Sequence, residues 1–174
     1  VMGRRFAIAA VLVTTTLAAG CAVGDDVSRS GQYAYGTESS DLAGVWNSVN
    51  GPNVGLELKS DGSWTGSSWP VNLNCREGSA RYVDDLDAGA KVMGEWSVNP
   101  GDESASLPAV SLSVAGAVCS QKEAVGFLWR DHEGQVSVCI PVDPMLDPDN
   151  FTPGRTLMFT RDGEDSSGDG ACFG

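Results

Sequence analysis

From Leu42 to Arg161 the chain is a series of short stretches in which apolar and polar residues alternate. Turn residues interrupt them at the spacing of roughly 8–12 positions typical of all-β domains. Alternation of period two puts one side of each stretch into a core and the other into water. Eight such stretches are readable: residues 42–46, 54–58, 63–69, 91–98, 110–114, 124–130, 135–140 and 155–161. No long helical period competes with them. The expectation is an all-β fold, an antiparallel up-and-down eight-stranded β-barrel, with a β-sandwich as the alternative. Closure removes exposed sheet edges and favours the barrel.

The second and third stretches set the register of the sheet. Leu56 and Leu58 alternate with Glu57 and Lys59, and Ser60-Asp61-Gly62 follows. A two-residue turn at Asp61-Gly62 would place Lys59 opposite Trp64. A three-residue loop with Gly62 in the left-handed region would place Leu58 opposite Trp64, both inward. A shift of one residue inverts every side chain. The three-residue loop is preferred, because it buries the indole beside leucine.

Upstream of this region the residues read as an export signal. Arg4-Arg5 is a short basic start, Phe6 to Leu17 is apolar or small, and Leu17-Ala-Ala-Gly20 precedes Cys21. That is the order of a secretory signal. The cysteine after small residues resembles the lipobox of bacterial lipoproteins, with Ala18 where that family prefers leucine. The resemblance implies cleavage after residue 20, lipid attachment at Cys21 and anchoring on the extracytoplasmic face of the cell membrane. Two acyl chains suffice for stable anchoring. The organisation expected is a signal peptide over 1–20, a lipidated and disordered tether over 21–40, a barrel over 41–161 and an acidic tail over 162–174. Loss of Arg4 and Arg5 would leave nine basic against 23 acidic residues. Such a balance argues against nucleic acid as a partner. A monomer is expected.

Gly44-Val45-Trp46 opens the first strand as in lipocalin-like and other calycin barrels. Trp46, Asp61-Gly62 and Thr65-Gly66 also look like the start of avidin-type barrels. Gly-x-Trp, Leu56-x-Leu58-x-x-Asp61-Gly62, an aromatic residue and Trp69-Pro70 are similar to uncharacterised actinobacterial lipoproteins. This resemblance covers about residues 42–70 and implies a barrel, with no ligand attached to it.

Cys75, Cys119, Cys139 and Cys172 remain once Cys21 is set aside. An even number in an exported chain suggests two disulfides. Three pairings are open, and Cys119–Cys139 with Cys75–Cys172 is favoured as staples around one barrel end. An up-and-down order puts short turns at Asp61, Pro100 and His132 at one end and three long loops, 70–89, 115–123 and 141–154, at the other. The long-loop end is the expected mouth, with Trp69 and Pro70 as low-level ligand-binding candidates for a small apolar molecule or a protein partner. Trp46, Trp64, Trp96 and Trp129 read as a plug at the closed end. The alternative function is a filled barrel that contacts proteins, such as an inhibitor of an exported hydrolase. No cofactor or metal is expected. A CxxC pattern is absent, and Asp84, Asp85, Asp87, Asp143, Asp147 and Asp149 follow no calcium-loop spacing. His132 sits in a turn with no nucleophile beside it, and Gly-x-Ser-x-Gly does not occur, so the reading is non-enzymatic.

Overall fold

Eight antiparallel strands close into a barrel, and a ninth lies outside it. The structure is a computed structural model, and it describes residues 31–87, 89–115, 123–163 and 172–173. The export signal, Cys21, tether residues 22–30, Cys119 and most of the tail lie outside the described residues. In chain order the elements are β1 (Gly31–Tyr33), the short helix α1 (Ser39–Leu42), β2 (Gly44–Ser48), β3 (Gly55–Leu58), β4 (Ser63–Trp69), β5 (Ala90–Asn99), β6 (Ala109–Ser113), β7 (Glu123–Asp131), β8 (Val136–Pro141) and β9 (Thr156–Arg161). Strands β2 to β9 follow one another around the wall, and β9 pairs with β2 to complete it.

The hairpin register is that of the three-residue loop. Leu58 pairs with Trp64, and Gly62 has φ of +84°. Leu56, Leu58 and Trp64 are all buried. Asp61 shapes the loop by accepting bonds from the Ser63 amide at 2.9 Å and its hydroxyl at 2.6 Å. Those bonds favour the ionised form and hold the Asp61 carboxyl below its ordinary pKa.

A single bulge decides the fate of Trp69. Gly66 pairs with Val92, but Trp69 pairs with Ala90, so β4 carries one residue more than β5 over this span. Ser68, at φ of +53°, absorbs the extra residue. Without it the side chain of residue 69 would fall on the outer face. With it, Trp69 turns inward and packs against Trp64, centroids 5.0 Å apart, and stacks near Phe159 at 6.3 Å. Gly66 makes the room: a Cβ there would come within 3.0 Å of Val92, Trp69 and Trp64.

Both ends of the barrel are filled by chain. At the long-loop end, Leu73, Ala80 and Val83 of the loop after β4 join the same buried cluster as the wall residues. Asn74 fastens this loop to β8, through its amide to the Val142 carbonyl and its side chain to the Pro141 carbonyl, each at 2.9 Å. At the short-turn end, residues 34–42 run beneath the barrel. Ala34 and Leu42 are wholly buried in the core cluster, and the Trp46 indole donates to the Leu42 carbonyl at 2.9 Å. Residues 31–40 were expected to belong to a disordered tether, and Leu42 to open the first strand; instead β1, the buried Ala34 and α1, which contains Leu42, pack onto the barrel.

The wall over β7, β8 and β9 is buried on both faces. Trp129, Cys139, Leu146, Phe151, Met158 and Cys172 form a second cluster on its outside, with Tyr33, Phe127 and Phe173 packed against it. The expectation that Trp129 plugs the barrel floor is therefore corrected. Leu128 points inward, so its neighbour Trp129 points out. The favoured disulfide pairing is also corrected: Cys139 is bonded to Cys172, with Cα atoms 6.0 Å apart. Cys139 alternates with the inward Val138 and Ile140, so it faces the outer cluster, where the C-terminal residues fold back. Cys75 is disulfide-bonded as well.

Candidate functional site

The two residues expected at a ligand-binding mouth are both buried. Trp69 is 1% exposed within the aromatic core, and Pro70 is covered as the chain enters the long loop. The loop then closes over them with Leu73 and Val83. Trp69 therefore contributes packing to the interior, which sequence reading missed because the bulge at Ser68 has no period-two signal.

Two acidic residues of the long loops, Asp143 and Asp147, support local turns, and Asp149 accepts the Tyr33 hydroxyl at 3.4 Å. Asp143 accepts the Met145 amide at 2.9 Å, and Asp147 accepts the Asp149 amide at 3.0 Å. Among the described residues, no three His, Cys, Asp or Glu side chains gather in a metal-binding arrangement. His132 is exposed in its turn, and the neighbouring Asp131 carboxylate is engaged by the amides of Glu133 and Gln135 at 2.9 and 2.8 Å. That carboxylate supports the turn.

A cleft of about 460 Å³ opens at the opposite, short-turn end, on the outside of the barrel. It is lined by Gln32, Tyr33, Tyr35, Glu103, Trp129 and Arg130, together with Gly31. Its origin lies in the length of β6. That strand stops pairing with β7 at Ala109, opposite Phe127. The remaining edge of β7 would be bare, and β1 takes it: Gly31, Gln32 and Tyr33 pair with Asp131, Arg130 and Trp129. The connection after β5 then folds alongside, with the Gly36 amide bonded to the Pro100 carbonyl at 2.9 Å. Glu103 comes from that connection.

The aromatic side of the cleft is a run of three rings. Tyr33 lies on Trp129 with centroids 4.3 Å apart, and Tyr35 meets Tyr33 edge-on at 6.0 Å. Arg130 reaches the Thr37 hydroxyl at 3.4 Å, and that hydroxyl is fixed by the Ala34 carbonyl at 2.7 Å. The polar side-chain groups of the lining are therefore one guanidinium, one carboxylate, one side-chain amide, one indole and two phenol hydroxyls. Three indoles of the barrel interior, those of Trp46, Trp64 and Trp96, donate to the carbonyls of Leu42, Ser113 and Lys59 at 2.7–2.9 Å. The Trp129 indole N–H differs. It is buried and has no hydrogen-bond partner among the described residues. Buried donors are usually paired, which sets this one apart from the interior indoles.

Comparison with protein-family models, with curated proteins and with solved structures finds no match.

Proposed function

We propose that the protein is a lipid-anchored extracytoplasmic lipoprotein whose barrel is a non-catalytic binding module, working with its outer surface. The observation that carries this reading is the filled interior. Trp46, Trp64, Trp69, Trp96 and Phe159 share one buried cluster with residues from the plugs at both ends. A small apolar ligand inside the barrel would have to displace that packing. Binding to a partner on the outside would not.

Anchoring rests on the signal-like start and on Cys21. Strand β1 begins at Gly31 beside Asp131, at the short-turn end. Ten residue steps separate Cys21 from Gly31. Fully extended they span at most about 35 Å. An acylated Cys21 would thus hold the short-turn end toward the membrane and turn the long loops outward. Cell fractionation of the Cys21→Ala variant tests the anchor. The protein should leave the membrane fraction for the soluble extracytoplasmic one; unchanged membrane retention would sink the lipoprotein reading.

A further inference from the structure

We infer that the cleft between β1 and the connection after β5 is a binding site for a neutral saccharide. This rests on the reading that the outer surface of the barrel does the binding, and it adds the place and the ligand class. The cleft volume, about 460 Å³, falls in the range of small-molecule sites. Its chemistry narrows the class. A purely apolar ligand would strip water from Gln32, Glu103 and Arg130 and return nothing to them. An anion would meet Glu103 in a chain of net charge −12. A cation would meet Arg130.

A polyhydroxylated ring suits what remains. Its hydroxyls both donate and accept, so they can use a carboxylate, a guanidinium and an amide in one site. Its C–H faces can lie against Tyr33 and Tyr35, which bring apolar area with fixed geometry. The Trp129 N–H, buried in the cleft wall and without a partner among the described residues, makes that ring a reporter of what enters the cleft. The site is also preorganised. Tyr33 is held by the β1 pairing and by Trp129, and Arg130 by Thr37.

Titration of the ¹⁵N-labelled full chain with maltose, cellobiose and N,N′-diacetylchitobiose at millimolar concentration tests the assignment. The probe signal is the indole N–H of Trp129, identified by its loss in Trp129→Phe. At least one of the three sugars should shift it, while the indoles of Trp46, Trp64 and Trp96 stay in place as internal controls. Tyr35→Ala should weaken that binding by roughly tenfold or more, the scale of one lost aromatic contact in a cleft. Its thermal midpoint should stay near that of the parent. No shift with any sugar overturns the inference. So does a shift produced by tetramethylammonium or benzoate and by none of the sugars, or sugar binding that Tyr35→Ala leaves intact. Failure here leaves the filled-barrel reading standing, because that reading depends on the interior and is probed separately below.

Discussion

Trp69→Ala is the sharpest perturbation of the barrel interior. The indole is 1% exposed, lies 5.0 Å from Trp64 and 6.3 Å from Phe159 by centroid, and is held in place by the bulge at Ser68. Removing a fully buried tryptophan costs about 3–5 kcal/mol, through lost transfer energy and the cavity left behind. Two aromatic neighbours place this site in the upper part of that range. A domain of this size is stable by about 5–15 kcal/mol, so the loss is a large fraction of the total. Urea denaturation followed by fluorescence should show a much lower midpoint with an unchanged slope. The variant should also acquire something the parent lacks: a dry cavity that takes up benzene or xenon. If Trp69 instead lined an open mouth, its removal would cost well under about 1 kcal/mol, as exposed substitutions do. A loss that small, or equal uptake of benzene by the parent, would refute the packing account.

Four further outcomes follow from the same geometry. Gly66→Ala should destabilise by about 1–3 kcal/mol in thermal melts, because the new methyl meets Val92 at 2.7 Å and two indoles; an unchanged midpoint would contradict the close approach. Tyr33→Ala should cost about 1–3 kcal/mol by removing the ring on Trp129, measured against Gln32→Ala at the exposed neighbouring position of the same strand, and equal effects would remove β1 from the fold. Cys172→Ala should cost about 3–4 kcal/mol by releasing a bridge across 33 residues, and non-reducing peptide mapping should join Cys139 to Cys172 and to no other cysteine. Asp61 titrates lower folded than unfolded, so its turn bonds support the fold above the unfolded carboxylate pKa and lose that support as pH falls through the folded one. Ser63→Ala should raise the Asp61 midpoint in a ¹³C carboxyl titration, and an unmoved midpoint would assign the shift elsewhere.

The strands were legible because most of them keep one wet face. Leu56-Glu57-Leu58 and Val110-Ser-Leu112 alternate cleanly, and the turn Ser60-Asp61-Gly62 carries its own register signal in the glycine. Legibility failed where burial has another cause. Residues 31–40 read as tether because the stretch is short and polar, yet Tyr33 and Ala34 each find a partner supplied by distant strands. Trp69 was misplaced because an extra residue in one strand leaves no mark on composition. Strand order alone puts Trp129 and Cys139 at barrel ends and leaves open which face they take. Their parity against Leu128 and Val138 puts both outside, under a second layer that β1, the folded loop 142–155 and the C-terminal residues provide. The same blindness hid the cleft, which needs β1, β7 and the connection after β5 to meet.

The central claim is that the barrel is filled and binds from outside. A native mass spectrum of the full protein, released gently from membranes without added ligand, tests it most directly. The account predicts a protein ion with no retained small apolar molecule, whose mass is that of the chain from an acylated Cys21. An apolar molecule bound at one per chain, and lost only on unfolding, would contradict it.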